Sequence, residues 1–235
     1  MSKMGYCSRA QAGELILAGR VRLNGAIQRN AEAPLRLGQD KIVVDGRQIR
    51  AAEKSYWMLN KPRGVVTTAS DEKGRQTVYD CITQRQGEGG DWLAPVGRLD
   101  KASEGLLLLT NDSEWAARVL DPSAHVAKTY HVQIAALADE ALLQALRRGV
   151  REGNDFLRAE RVTELRRGER NSWLEIVLSE GKNRQIRRML DALEIEVLRL
   201  VRVAIGGLEL GDLAKGESRQ LSPAEKNAVE NRKHP

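Results

Sequence analysis

One stretch constrains this chain more than any other: Pro95-Val96-Gly97-Arg98-Leu99-Asp100-Lys101-Ala102-Ser103-Glu104-Gly105, running into Leu106-Leu107-Leu108-Leu109 and closing on Thr110-Asn111-Asp112. Four consecutive leucines bounded by turn-forming residues predict a short strand buried on both faces. The segment before it is charged and carries a glycine at each end. The pattern therefore sets a carboxylate, Asp100, between Arg98 and Lys101 in a loop hung on a rigid element. An acid so placed is available as a nucleophile or base, or it serves only as a turn residue bonded to its own backbone.

A chain of 235 residues can bury a substantial core in one or two domains. Its net charge is +6, and residues 1–50 hold nine Lys/Arg against four Asp/Glu, so nearly all the excess sits in the N-terminal segment. That asymmetry predicts a separate basic module for an anionic partner such as nucleic acid. Two distant cysteines, Cys7 and Cys81, and three histidines offer neither a disulfide framework nor metal-ligand spacing. No metal and no cofactor are expected. With no apolar run of spanning length and no visible signal peptide, the expected location is the cytoplasm, away from membranes.

Along the chain, Ser8 and Gln11 form a capping-box pattern for a helix reaching about Ala18. Arg20 to Gly25 reads as a strand entering an Asn-Gly turn, and Lys41 to Gly46 repeats the pattern with Asp-Gly. Arg47 to Lys54 reads as a basic connector. Tyr56 to Leu59 is a predicted strand, Asn60 to Gly64 a turn, and Val65 to Thr68 has strand propensity. Gln84 to Gly90 reads as an exposed glycine-rich loop. Beyond the central stretch, a helix is expected from Asp112 to Leu120. A strand is expected over Lys128 to Ile134, and an amphipathic helix over Asp139 to Arg148, stopped by Gly149. Further strands cover Trp173 to Leu178 and Val197 to Val203. A helix follows Gly181-Lys182-Asn183 as far as about Leu193, and another opens at Ser222. Helices and strands mix without regular alternation, which predicts an α+β fold.

Gly181-Lys182-Asn183-Arg184-Gln185-Ile186-Arg187-Arg188-Met189 is the second chemistry-bearing segment. Helical spacing would put Arg184, Arg187 and Arg188 on one face, and the glycine-led N-terminus could take a phosphate. Tyr130 in Lys128-Thr129-Tyr130 could stack on a base, although a core or edge-strand role is the commoner fate of such a residue.

Taken together, these segments resemble the bacterial ribosomal RNA pseudouridine synthases. The match rests on Gly97-Arg98-Leu99-Asp100, Ser103 to Leu107, Thr110-Asn111-Asp112, Leu59-Asn60-Lys61-Pro62 with Gly64 to Val66, the Lys-x-Tyr strand and the Gln-Ile-Arg helix. Residues 1–47 resemble the small S4-type RNA-binding domain, on the helix and on Gly19-Arg20-Val21-Arg22-Leu23-Asn24-Gly25. The module's first helix would be short here: either it is stunted or residues precede Met1. The resemblance divides the chain into 1–47, a linker 48–54, and a mixed or antiparallel catalytic domain 55–235. It implies an isomerase that turns a uridine of ribosomal RNA into pseudouridine, the large subunit being slightly favoured. Asp100, Tyr130 and Arg187 would be catalytic. Arg98 would fill the space left by the flipped base. Lys61, Lys128, Lys182, Arg184 and Arg188, with Arg9, Arg20 and Arg22 of the small module, would contact RNA. The partner would be ribosomal RNA or a ribosomal precursor particle, met by a monomer.

Two other readings compete. A non-catalytic RNA-binding or assembly factor would have no need for Asp100, Tyr130 and Arg187 together. A methyltransferase would need a glycine-rich cofactor loop after a strand, and Gly87-Glu88-Gly89-Gly90 follows Gln84-Arg85-Gln86 instead.

Overall fold

The computed structural model describes residues 1–36, 38–69, 71–82 and 92–230. The expected loop Gln84 to Gly90 lies outside the described residues. The first element of the N-terminal module is a 3-10 turn, Ser2–Met4. Helix α1 (Arg9–Leu17) follows. Ser8 Oγ accepts from Gln11 N and Gln11 Oε1 accepts from Ser8 N, completing the capping box. Strands β1 (Val21–Leu23), β2 (Ala26–Ile27), β3 (Ile42–Val44) and β4 (Arg47–Gln48) form a sheet in the order β2-β1-β3-β4. Its two tight turns use Asn24-Gly25 and Asp45-Gly46, all four with positive φ, the requirement that selects Asn, Asp and Gly there. Gln48 pairs with Val43 and Ile49 is buried with Val21, Ile42 and Val44. The module boundary expected at residue 47 thus falls inside β4, and the connector begins after Ile49.

The larger body contains β5 (Tyr56–Lys61), β6 (Ala94–Val96), β7 (Glu104–Thr110), α2 (Ser113–Leu120), β8 (Lys128–Ile134), α3 (Glu140–Arg148), β9 (Val150–Glu152), β10 (Asp155–Leu157), β11 (Arg161–Arg167), β12 (Ser172–Leu178), α4 (Gln185–Asp191), β13 (Val197–Ile205), β14 (Leu208–Glu209), β15 (Ser218–Gln220) and α5 (Pro223–Glu230). The main sheet runs β11-β12-β8-β13-β7-β5-β15, with β14 on β13 and β6 on β7. Only β13 and β7 pair in parallel; the other pairs are antiparallel. This is the expected α+β fold with a mixed sheet.

Strand β7 is an interior strand of the sheet, next to the central β13. β5 lines one edge; on the other, the start of β7 pairs with Val201 and Arg202 of β13 and its end pairs with β6. Leu106 and Leu108 pack under α2 with Trp115 and Val119. Leu107 and Leu109 pack on the opposite face with Trp57, Leu59, Val65 and Val78. Burial on both faces is the physical reason the strand reads as an unbroken leucine run. Gly105 meets the tightest point of the sheet. Its φ is +101°, and a Cβ there would stand 2.2 Å from the Arg202 carbonyl oxygen of β13.

Val65 to Thr68 does not form a strand. It makes one isolated bridge, Val66 to Thr77, and the Thr67 side chain bonds Leu99 O. The expected turn over Asn60 to Gly64 starts later, since β5 extends through Lys61. The two modules touch: Ala52 N bonds Met4 O, Trp92 N bonds Gly5 O, and a Cβ at Gly5 would lie 3.0 Å from Asn111 Cβ.

Candidate active site

The loop from Gly97 to Ser103 is fixed from below. Leu99 is buried, and Thr67 Oγ1 donates to Leu99 O at 2.8 Å. Gly64 N reaches Lys101 O at 2.8 Å, and Ser103 N closes a turn on Asp100 O at 3.0 Å. Lys61 Nζ donates to Ser103 O at 2.8 Å and to Pro62 O at 3.0 Å. Backbone held at this many points presents Asp100, the loop's one acid, with 38% of its side chain exposed, between the exposed Arg98 and Lys101.

Neither sequence neighbour pairs with Asp100 among the described residues. The partner is Arg184, whose Nη1 stands 3.7 Å from Asp100 Oδ2. Arg184 precedes α4 in the left-handed conformation, φ 49°, rare for a residue with a side chain. Helix α4 starts at Gln185, so the expected common face of Arg184, Arg187 and Arg188 does not form. Arg187 turns beneath the loop, donating to Ala102 O at 3.2 Å and Val197 O at 3.5 Å, with its Nε buried and unpartnered. Burial lowers its pKa, Arg184 lowers it further, and Asp100 pushes it back up. Arg188 faces the other way. Its guanidinium pairs with Glu152 and with Asp155 Oδ2, the latter at 2.7 Å, and so ties α4 to the β9–β10 hairpin. The expected phosphate role of Arg188 is therefore corrected, because its donors are spent inside the protein. At the helix start Gln185 Oε1 accepts from Lys182 N, and Gln185 Nε2 donates to Arg158 O and Glu180 Oε1.

Lys61 is also not an RNA contact. The residue is fully buried and its ammonium lies under the loop. Burial lowers its pKa to about 8, against the opposing pull of Cys81, Asp100 and Glu104. Lys182 is partly spent, donating to Phe156 O at 2.8 Å. In the small module Arg20 is paired with Asp45 and Arg22 caps its own turn at Gly25 O, whereas Arg9 is exposed.

A cavity of about 520 Å³ opens at the loop, lined by Asp100, Arg98, Lys128, Tyr130, Arg184 and Arg202 among others. Tyr130 is half-buried and bridges two parts of the core. Arg98 is exposed at the rim. The structure thus gathers Asp100, Tyr130, Arg98, Lys128, Lys182, Arg184 and Arg187 around one cavity, from segments scattered over some ninety residues.

Three participants escaped the sequence reading. Thr67 clamps the loop. Glu104, buried, is held by Arg199 at 3.2 Å and Lys215; burial alone would raise its pKa, but those two cations outweigh it and hold the carboxyl below its ordinary value. Arg202, also buried, faces the cavity from β13. Only Glu104 carried a local signal, an acid adjoining the leucine run.

With this geometry in view, the comparisons agree. Residues 55–192 match the model of RNA pseudouridylate synthase, and residues 1–42 match that of the S4 domain. The chain belongs to the RNA pseudouridylate synthase family. Ribosomal large subunit pseudouridine synthase B of Bacillus subtilis is 37% identical, over 94% of this chain and 89% of the relative. The Shigella flexneri protein of the same name is 35% identical, over 97% of this chain and 79% of the relative. A crystal structure of a pseudouridylate synthase superposes with a TM-score of 0.65 at 29% identity, covering 94% of each chain. The chain is accordingly an isomerase with an N-terminal S4 module, a class whose reaction breaks the bond from sugar to N1 of uracil and rejoins the sugar to C5.

Proposed function

We propose that this chain converts one uridine of large-subunit ribosomal RNA to pseudouridine, with Asp100 acting at the sugar as nucleophile or base. The observation that carries the reading is the placement of Asp100. It is the loop's one outward acid, at the mouth of a cavity shared with Tyr130, and its ion-pair partner is Arg184. The large-subunit preference rests on the names of the relatives.

In this reading a base inside a duplex must be flipped out before it reaches Asp100. Arg98, exposed at the rim, fills the vacated stack. Tyr130 stacks on the flipped base. Arg187 keeps the loop backbone in place through Ala102. Arg184 and Lys182 meet backbone phosphate, and Arg9 with the rest of the basic module holds RNA farther out. The chain works as a cytoplasmic monomer on ribosomal RNA or a precursor particle, without metal or cofactor.

The test is Asp100→Asn, assayed by tritium release from RNA labelled at uracil C5, with carbodiimide mapping of both ribosomal RNAs in a deletion strain. Turnover falls more than about a thousandfold, the scale of losing an essential group, while RNA affinity holds. Near-normal release by the variant would remove Asp100 from the chemistry, and no release by the wild type would favour the alternative of a non-catalytic RNA-binding or assembly factor. A missing pseudouridine in the small-subunit RNA alone would move the substrate to that subunit.

A further inference from the structure

Among the described residues, two of the cavity's inner cations, Lys128 and Arg202, have no counter-ion. Lys128 stands two residues before Tyr130 on β8, so both side chains share one face of the strand. Arg202 is the cross-strand neighbour of Tyr130 on β13. Among the described residues no carboxylate lies within ion-pair distance of either. Arg202 is only 5% exposed; its Nε donates to Leu106 O at 2.7 Å, and its Nη2 is buried with no partner. Burial lowers the Lys128 pKa, and the nearby Arg202 lowers it further. A buried cation without a partner is costly, and two facing the same cavity repel each other. Such a site is arranged in advance for negative charge that arrives only with the ligand.

Depth indicates which charge. Arg98 is exposed, and the Arg184 side chain is 51% exposed, so the mouth of the cavity carries the cations suited to a phosphate still joined to its neighbours. Arg202 is buried in the lining of the same cavity, so only a group that enters the cavity, as a flipped base would, can meet it. When the bond from C1′ to N1 breaks, the electron pair stays with uracil, which becomes an anion spread over N1 and its carbonyl oxygens. The base then turns, C5 bonds to C1′, C5 gives up its proton and N1 takes one up. This holds whether Asp100 attacks the sugar or deprotonates it.

We propose that Lys128 and Arg202 form the cationic floor of the cavity and hold the uracil anion between bond breaking and rejoining. The proposal rests on the isomerase reading above.

The first test needs no turnover. Titration of the full chain with uracil and with 5-nitrouracil, whose ring is anionic at neutral pH, measures the preference for a charged base. The wild type is expected to prefer the anion at least about tenfold, and Lys128→Met to erase most of that preference. Equal binding of the two bases, or a preference that survives Lys128→Met, overturns the floor even if the chain proves inactive on RNA. The second test is the single-turnover rate of C1′–N1 cleavage on RNA carrying uridine or 5-fluorouridine at the target; fluorine makes uracil the better leaving anion and leaves C5 no proton to give up, so cleavage is read in place of pseudouridine formation. Lys128→Met should slow uridine about a hundredfold at unchanged RNA affinity, slow 5-fluorouridine much less, and be largely restored in Lys128→Arg. A loss confined to RNA affinity would assign Lys128 to a phosphate instead. Lys128 is the residue to vary first because it holds no hydrogen bond among the described residues, whereas Arg202 supports Leu106 O.

Discussion

The ammonium of Lys61 is buried beneath the Asp100 loop and donates to the Ser103 carbonyl oxygen at 2.8 Å. A lysine thus serves as a strut between the end of β5 and the start of β7. Burial lowers its pKa to about 8, whereas an unfolded lysine keeps its proton to about 10.4. Between those values the unfolded chain binds more protons, so stability rises with pH. Urea unfolding from pH 7 to pH 10 should show the wild type gaining on Lys61→Met by up to roughly 3 kcal/mol. Identical pH slopes in the two proteins would show that Lys61 does not titrate there.

Arg184 and Arg188 lie four residues apart and should behave oppositely. Arg184→Ala removes the partner of Asp100 and a cation at the cavity mouth. Turnover should drop, and the slope of log affinity against log salt should become shallower by about one, with thermal stability unchanged. Arg188→Ala breaks the tie to Glu152 and Asp155 and should lower stability modestly in denaturant titration, leaving the salt slope as it was. A shallower slope for Arg188→Ala would return that residue to the RNA surface.

Gly105→Ala should be among the most damaging single changes. The new Cβ would collide with backbone on β13, which cannot swing aside as a side chain can, and φ of +101° is itself unfavourable for alanine. The parallel contact of β7 with β13 would part just behind the Asp100 loop. Denaturant titration should show a loss of at least about 3 kcal/mol, or no soluble protein. A folded, active variant would mean the two strands can separate without cost.

The small module should contribute affinity more than rate. A chain starting at Lys54 keeps the Lys54–Asp112 ion pair at 2.9 Å but exposes the surface around Asn111 and Trp92 that Gly5 covers. It should melt a few degrees lower, bind ribosomal RNA more weakly with a shallower salt slope, and keep its single-turnover rate at saturating RNA. A collapse of that saturated rate in a folded chain would show that the module completes the active site.

Much of this architecture was legible without coordinates where the cause is local. The Ser8 and Gln11 box, the Asn24-Gly25 and Asp45-Gly46 turns, the leucine strand and the Asp139 and Ser222 helix starts each depend on residues within a few positions of one another. The failures share another cause. Three arginines at helical spacing share a face only if the helix includes them all, and α4 begins one residue too late. Val65 to Thr68 has strand propensity, but its backbone finds one bridge partner, Thr77, eleven residues on from Val66. Residues 48 and 49 look like polar linker, yet Ile49 closes the small core.

The sequence by itself determined the α+β class, the small basic module, the family, and the loop that carries Asp100, because those follow from periodicity, turn chemistry and contiguous motifs. Tertiary structure alone decided which cations stay available. Lys61 and Arg188 look as free on paper as Arg98 and Arg184, but one is buried under Ser103 and the other is held by Glu152 and Asp155. It also brought Arg202 beside Tyr130, through strand pairing across seventy residues. The physical reason is that a charge is directed by its nearest partner in space, and the sequence orders residues only along the chain.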